Sequence, residues 1–371
     1  MRALAFAFAV SFLASPFAAA QSYRSPVTAP APDARDDALL EACGRGEAGL
    51  HEVAGQLVRG EVSGSTTEGL VFALRASGVP HLRPRAWVLR GTDLDRATAA
   101  ERLRTWLAGF RDEGQRRCGI ASGRDEKGRD VFAAVVVFAQ ADLRPTPIEV
   151  RPGAWITIDA SLRVPAHDAK LVVLGPVGRP RSVPTSLDGR RVRSRFRADR
   201  EGVWLAQVLV EGDAGPRPVL ETLIFAGVPV SEPQAQAPGE EAKGISDDPE
   251  DVLTEMVARA RQSEKLAPLR RDAALDKAAR AHALKMQAAR RVAHDVGDGP
   301  PHERLRAMDI SASAIGENVA HAPSLVAAHR ALWASPSHRG NLLDPRFERV
   351  GLAVVSDTDG SVWVTQIFAG R

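Results

Sequence analysis

The sequence has few cysteines, and after its first twenty residues it has no long apolar run. Only two residues are cysteine, Cys43 and Cys118, and no cysteine follows the small residues that close the N-terminal apolar segment, which argues against a lipoprotein anchor. No later stretch approaches the roughly 18 uninterrupted apolar residues that a membrane helix requires. The sequence therefore predicts no membrane span.

Lysine is also scarce, and the chain lacks a strong excess of either charge. Almost all of the 49 basic residues are arginine, they face 46 acidic residues, and the formal net charge is +3. The arginines are spread along the chain and interleaved with acids, without a basic cluster that alternates with aromatic side chains. We therefore expect no nucleic-acid partner and interpret the arginines as solvated surface. A hydrophobic content of 44% and a charged content of 26% are typical of globular domains.

The first twenty residues have the pattern of a secretory signal. Arg2 is followed by the apolar run ALAFAFAVSFLA and by AAA at 18–20, which is too short for a membrane helix. The mature protein is therefore expected to be secreted, either to the periplasm or to the extracellular space. In such an oxidising compartment the two cysteines are expected to form one disulfide, with two buried free thiols as the alternative.

The remaining chain is long enough for two or three domains. Residues 21–35 are a Pro- and Ser-containing lead-in, and 230–248 is polar, Pro-containing and without periodicity, which predicts a linker. Between them, 146–229 consists of short alternating runs separated by Gly, Pro and Asp, a pattern typical of an immunoglobulin-like β-sandwich. This segment has no cluster of potential ligands, so we interpret it as a spacer or binding module.

The last segment, 249–371, changes to a helical period and then ends in strands. Asp248 before Pro249 predicts the start of a helix. A second helix places Leu275, Ala279, His282 and Met286 on one face, which makes His282 a core histidine. Helices followed by a final hairpin predict an α+β fold.

Residues 250–371 resemble a CAP domain (cysteine-rich secretory protein, antigen 5 and pathogenesis-related 1) in its short bacterial form. The resemblance rests on six motifs in the family's order: LAPLRRDAALDKAARAHALKM, AHD at 293–295, ERLRAMDI, GENVA at 316–320, LWASPSHRGNLL and FERVGLAVVSDTDGSVWVTQIFA. It implies an α-β-α sandwich with a central cleft.

The resemblance also implies which side chains line that cleft: His294, Glu317 and His338. Two imidazoles and a carboxylate are ligands that zinc or another divalent metal accepts, and the same residues suit proton transfer in catalysis. A hydrogen-bond network that braces the fold is the alternative. Many family members carry a further acid where this chain has ASPS, and Asp295 is the nearest substitute. Other polar residues are interpreted as structural or solvated: His302, His321, His329, Asn318 and Asn341. A serine nucleophile at Ser335 or Ser337 is conceivable, but no GxSxG-type elbow surrounds these residues.

Two functions follow from the resemblance. The first is an extracellular or envelope binding module whose cleft takes a divalent metal or a small ligand from lipid, cell wall or protein. The second is a metal-assisted, protease-like hydrolase that uses the same cleft. The absent acid favours the first function.

The segment 36–145 is predicted to be a degenerate copy of the same domain. LVFALRASGVP parallels ERLRAMDIS, AWVLRG falls where GENVAH falls, and Trp106 is placed like Trp333. The copy lacks both GEN and SPxH. It is therefore expected to be a structural or regulatory relative without a working site.

Overall fold

The computed structural model describes residues 36–62, 67–110, 113–212, 215–231 and 236–371. The predicted signal at 1–20 and the lead-in at 21–35 lie outside the described residues. The described chain forms an N-terminal unit, a middle unit and a C-terminal unit. Within those ranges, none of the helices combines the length and the apolar character that a membrane crossing requires.

The N-terminal unit is a four-stranded sheet with helices packed against it. Its sheet has the order β1-β3-β4-β2, and Cys43 in the first helix forms a disulfide with Cys118 in the third strand, as predicted. Helix four begins after Asp95, whose side chain accepts from Thr98 N. The elements are α1 (Asp37–Cys43), β1 (Arg45–Gly46), α2 (Ala48–Arg59), α3 (Thr67–Ala76), β2 (Arg85–Gly91), α4 (Arg96–Ala108), β3 (Gln115–Arg124) and β4 (Asp130–Ala139).

The middle unit consists of two sheets that pack face to face. One sheet has the order β10-β11-β7-β5 and the other β6-β13-β12-β8-β9; side chains such as Ile158, Phe196 and Val208 fill the space between them. The strands predicted here are present, while their immunoglobulin-like assignment stays a prediction. The elements are β5 (Ala141–Leu143), β6 (Glu149–Val150), β7 (Ala154–Leu162), β8 (Asp168–Leu174), β9 (Arg181–Val183), β10 (Thr185–Asp188), β11 (Arg191–Ala198), β12 (Gly202–Gly212) and β13 (Gly215–Ala226).

The C-terminal unit has the mixed helix and strand content expected of it. Its sheet has the order β14-β16-β17-β15. The Asp248 side chain accepts from Glu250 N at the start of the first helix, with proline at the beginning of the helix, as predicted. The elements are α5 (Pro249–Ser263), β14 (Arg270–Arg271), α6 (Ala273–Ala289), α7 (Pro301–Arg306), β15 (Ile315–Ala322), α8 (Leu325–Ala334), α9 (Pro336–Leu342), β16 (Arg349–Ser356) and β17 (Val362–Ala369).

The N-terminal and C-terminal sheets have the same topology. In each, a two-residue strand pairs in parallel with the third strand of the unit, and the other two pairings are antiparallel. A glycine stands at the same register position in both: a Cβ on Gly119 would collide with the backbone of Leu50 in α2, and one on Gly351 with that of Leu275 in α6. The absence of a side chain lets each helix lie directly on its sheet.

The segment 230–248 does not behave as the predicted free linker over its described part. It contains a short 3₁₀ helix, Glu240–Ala242, and buries Ala237 in the core of the C-terminal unit. Glu240 also forms an ion pair with Arg330 of α8, and His329 Nε2 lies 2.9 Å from Pro238 O. Small residues and a few polar contacts hold this segment in place, which neither its polarity nor its lack of periodicity indicates.

Candidate ligand-binding cleft

The three residues implied by the family resemblance line one cavity of about 680 Å³ between the C-terminal and middle units. His294 follows α6, Glu317 lies in β15 and His338 lies in α9. The opposite wall comes from β8, β12 and β13 of the middle unit and includes Val172 and Leu209. The cavity is therefore built by both units, although the middle segment was interpreted as a spacer or binding module without a ligand cluster.

Glu317 is the most enclosed of the three residues, with 5% of its surface exposed. Its Oε1 accepts a hydrogen bond from His294 Nδ1 at 2.8 Å, and its Oε2 accepts one from Arg304 in α7. His282 Nε2 lies 3.8 Å from the same Oε1. A carboxylate held between a guanidinium and an imidazole in a buried site is strongly ordered, because each partner would otherwise lose a charged hydrogen bond.

His294 is oriented by this carboxylate. Because Nδ1 donates to Glu317, the neutral ring carries its lone pair on Nε2, which makes that nitrogen an acceptor. The side chain is 22% exposed and lines the cavity. His294 therefore presents a hydrogen-bond acceptor to a ligand.

His338 lies in the short helix α9. The helix begins at Pro336, where a missing N–H is tolerated. At its other end, Leu342 O accepts from the buried Arg261 side chain at 2.9 Å. His338 is half-buried at the cavity. Its removal from water, followed by the proximity of His294, lowers its pKa to about 4. His338 is thus a neutral imidazole over the physiological range.

Two asparagines join the strand that carries the glutamate to the helix that carries the histidine. Asn318 Nδ2 donates to His338 O at 3.0 Å, and Asn341 Nδ2 donates to Glu317 O at 3.1 Å and to Asn318 Oδ1 at 3.0 Å. Asn318 is fully buried. The two side chains satisfy backbone groups, which agrees with a structural role, and they fix the relative position of Glu317 and His338.

The side chains of the cleft do not fit the three-ligand metal site. Both carboxylate oxygens of Glu317 are engaged by His294 and Arg304, so Glu317 acts on His294 and is not free as a ligand. Among the described residues, no group of three or more His, Cys, Asp or Glu side chains is placed to hold a metal ion. Metal binding by His294, His338 and Glu317 stays a prediction that these contacts do not support.

Asp295 does not replace the absent acid. Its Oδ1 accepts from the backbone N–H groups of Gly297, Asp298 and Gly299, at 2.7, 3.2 and 3.1 Å, and these hydrogen bonds, led by the one from Gly297, lower its pKa. The carboxylate closes a turn, because its Oδ1 is engaged by these three backbone groups. The ASPS segment therefore has no substitute for the acid of its relatives.

The remaining polar residues divide into structural groups and groups of the cavity. His282 is fully buried between Asp298 Oδ2 at 2.8 Å and Ala293 O at 3.0 Å, which agrees with a core histidine. His321 stacks on Trp363 with ring centroids 4.1 Å apart. His302, interpreted as solvated, lies at the cavity. No motif in the sequence indicates Arg304 as a residue of the cleft, because only the fold brings α7, which carries it, next to Glu317 in β15.

A buried polar chain connects the cleft to the other two units. Gln207 in β12 is fully buried; its Oε1 accepts from Ser337 N at 3.0 Å, and its Nε2 donates to Glu221 in β13. Glu221 in turn accepts from Arg75 in α3 of the N-terminal unit. The residue that precedes His338 is thus held by the middle unit.

The burial of His338 predicts a loss of stability in acid. Its pKa is about 4 in the folded protein against an ordinary value of 6.5, so the unfolded chain takes up the proton first as the pH falls. His338 does not change the free energy of unfolding above pH 6.5. As the pH falls from 6.5 towards 4, its protonation in the unfolded chain lowers that free energy, by about 2.5 kcal/mol at pH 4.5. Urea unfolding of the protein and of His338→Gln at pH 7.5 and 4.5 measures this, since the variant should lose that much less stability in acid. An equal loss in both proteins would contradict the assignment.

Comparisons with known proteins agree with the motifs in the C-terminal unit. Residues 254–368 match the family model described as CAP, the cysteine-rich secretory protein family. The uncharacterized protein YkwD of Bacillus subtilis is 32% identical over 124 residues, which are 33% of this chain and 47% of YkwD. The chain thus spans about half the length of that curated relative.

Two solved structures are also similar. An outer surface protein of Borrelia burgdorferi is 25% identical with a TM-score of 0.32, covering 34% of this chain and 94% of that chain. An extracellular protein containing an SCP domain from Bacillus anthracis is 16% identical with a TM-score of 0.31, covering 63% of this chain and 86% of that chain. From the family match and the motifs together, the C-terminal unit of this chain, over residues 254–368, is a CAP domain of the cysteine-rich secretory protein family.

Proposed function

We propose that this protein is an exported binding protein that holds a small polar ligand between its CAP domain and its middle unit. The observation that carries the proposal is the cavity of about 680 Å³, lined from one side by His294, Glu317 and His338 and from the other by β8, β12 and β13. Export is supported by the signal pattern of residues 1–20. A cavity between two units can bind a small ligand non-covalently.

The side chains of the cavity favour a ligand with hydroxyl or amide groups and an apolar part. His294 presents an acceptor nitrogen, and His338, with its pKa near 4, stays neutral and serves as donor or acceptor. Val172, Leu209 and Ile315 are among the apolar residues of the lining. Fragments of cell-wall glycopeptide combine these features.

The hydrolase alternative has less support from the contacts. Glu317, the carboxylate that could act as a base, is bound by Arg304 and His294. Ser335 Oγ and Ser337 Oγ lie 3.3 Å from each other, and among the described residues neither contacts a histidine or a carboxylate that could activate it. The cleft therefore suits recognition better than bond cleavage.

We also propose that residues 36–145 are a second copy of the CAP domain without this site. In the C-terminal sheet, Gly351 and Glu317 both pair with Ile367. In the N-terminal sheet, Gly119 and Ala86 both pair with Val135. Ala86 therefore occupies in the N-terminal sheet the position that Glu317 occupies in the C-terminal sheet. The alignment of AWVLRG with GENVAH would instead place Trp87 there. Without a carboxylate at this position, the copy lacks the counterpart of the contact between Glu317 and His294.

Filling the cavity from the middle unit tests the proposed binding function. A disaccharide-tetrapeptide muropeptide, titrated by calorimetry, is expected to bind the protein and to bind Leu209→Trp at least tenfold more weakly, because the indole occupies the cavity. His294→Gln should have a comparable effect, since an amide that donates its NH2 to Glu317 carries its acceptor oxygen at a different place from the ring Nε2. The matched control is Val177→Trp, which alters a residue of the same unit that is 64% exposed.

Two results would contradict the proposal. One is binding that neither Leu209→Trp nor His294→Gln weakens, because the cavity would then not be the site. The other is cleavage of the muropeptide, detected by mass spectrometry and abolished in His294→Gln, which would establish the hydrolase alternative.

A further inference from the structure

The outer face of the sheet β10-β11-β7-β5 carries a concentration of arginine. Strand β11 alternates strictly: Val192, Ser194, Phe196 and Ala198 are buried, and the residues between them point outward. We call the outward set, together with one arginine after β5 and one tryptophan of β7, the arginine face; it consists of Arg144, Arg191, Arg193, Arg195, Arg197 and Trp155.

The strand period brings these guanidinium groups into one row. Side chains two residues apart on a strand lie about 6.6–7 Å from each other on the same face, so the four arginines of β11 form a ladder about 20 Å long. The arginines of this sheet are solvated, as expected, and the fold places them in one row. Side chains two residues apart lie on the same face of a strand, so the arginines of β11 are neighbours on the surface. Along the chain, buried residues separate them.

Acidic residues balance one end of this ladder and leave the other end cationic. Asp159 of β7 binds Arg191 at 2.7 Å and lies 3.4 Å from Arg193 and 3.8 Å from Arg144. Asp188 of β10 pairs in register with Arg191.

At the far end, the register neighbours of Arg195 and Arg197 are Thr157 and Trp155. Arg197 Nε donates to Gly153 O at 3.0 Å, and Arg181 of β9 donates to Arg197 O at 3.1 Å. This end therefore combines cations with an aromatic ring and has no carboxylate among the described contacts of either arginine.

Trp155 is the second independent sign that this face meets a partner. Its surface is 56% exposed, and it is the one aromatic residue among the exposed large apolar side chains of the described chain. Arg195 Cζ lies 4.6 Å from the centroid of its ring, a cation–π contact that holds the ring in a defined place. An exposed, fixed aromatic ring offers a flat apolar surface beside the cations.

We propose that the arginine face binds an acidic polysaccharide. A linear row of guanidinium groups matches carboxylate, sulfate or phosphate groups repeated along an extended polymer, since each guanidinium binds such a group in bidentate fashion. The ring of Trp155 packs against the C–H face of a sugar. This surface is separate from the CAP cleft, which faces the other sheet of the middle unit, and does not depend on the proposed cleft function.

Two other polyanions fit the face less well. A lipid bilayer would require apolar side chains that penetrate it, whereas the outward residues of β7 beside Trp155 are Thr157, Asp159 and Ser161. Single-stranded nucleic acid is held by several aromatic rings on which successive bases stack, and the arginine face has one.

Binding of defined probes to the full chain tests this proposal. We expect alginate, a polyuronate, to bind in calorimetry or microscale thermophoresis, with affinity that falls as salt rises, while neutral dextran does not bind. Arg195→Glu/Arg197→Glu should weaken alginate binding at least tenfold, and Trp155→Ala several-fold with the salt dependence retained. These side chains are exposed, so the variants should fold, which circular dichroism verifies.

The matched control changes the net charge equally at another place. Arg102→Glu/Arg124→Glu alters exposed arginines of the N-terminal unit and should leave alginate binding within twofold of the unmodified protein. The proposal is overturned by equal losses in the two double variants, by alginate binding no stronger than dextran, or by tighter binding of vesicles of phosphatidylglycerol and phosphatidylcholine. Tighter binding of a 30-nucleotide single-stranded DNA would likewise overturn it in favour of nucleic acid.

Discussion

Replacement of Glu317 by alanine is expected to lower the free energy of unfolding of the CAP domain by about 3–5 kcal/mol, because a buried charge loses its partner. The Arg304 side chain is only 11% exposed and would lose its hydrogen-bonded carboxylate, with Asp298 Oδ2, 3.9 Å away, as the remaining one. His294 would also lose the acceptor of its Nδ1–H. The effect should appear in the chemical unfolding of the C-terminal unit.

Two further variants separate pairing from loss of side-chain volume. Glu255→Ala removes one partner of an exposed ion pair with Arg259 and should cost less than about 1 kcal/mol. Arg304→Met/Glu317→Leu removes both buried charges and should recover most of the stability, which a double-mutant cycle quantifies. A loss below about 1 kcal/mol in Glu317→Ala would show that the carboxylate is not paired as described.

Reduction of the Cys43–Cys118 disulfide should destabilise the N-terminal unit by about 4 kcal/mol, because it releases a closed loop in the unfolded chain. The cysteines are 75 residues apart in sequence, both are fully buried, and they join α1 to β3. Hydrogen exchange followed by mass spectrometry, with and without reductant, should show faster exchange throughout 36–139. Exchange in 249–371, which has no cysteine, serves as the internal control. Unchanged protection of α1 and β3 after reduction would contradict the expectation.

Features with a local signal in the sequence were predicted well. The apolar face of α6, the cap at Asp248 and the alternation of β7 and β11 each follow from side chains a few residues apart. The cleft residues His294, Glu317 and His338 were implied by motifs, and the structure brings them to one cavity. The disulfide prediction is confirmed, because the only two cysteines meet in one core.

What was missed depends on contacts between distant segments. Gln207 and Leu209 belong to a strand without any ligand motif and reach the cleft only because the middle unit packs over it. Arg304 meets Glu317 across 13 positions of chain. The arginine row of β11 had a local signal, an alternating RVRSRFR. Charge counted along the chain does not indicate the row, because the arginines share one face only when the segment is a strand.

Gly119 and Gly351 have a consequence for descent. Each stands where any side chain would collide with the backbone of the helix packed against its strand, in units that differ at Ala86 and Glu317. Constraints from the fold and constraints from the site therefore act on different positions. Under the duplication proposed above, both glycines should be retained among homologous sequences even where the cleft residues have diverged.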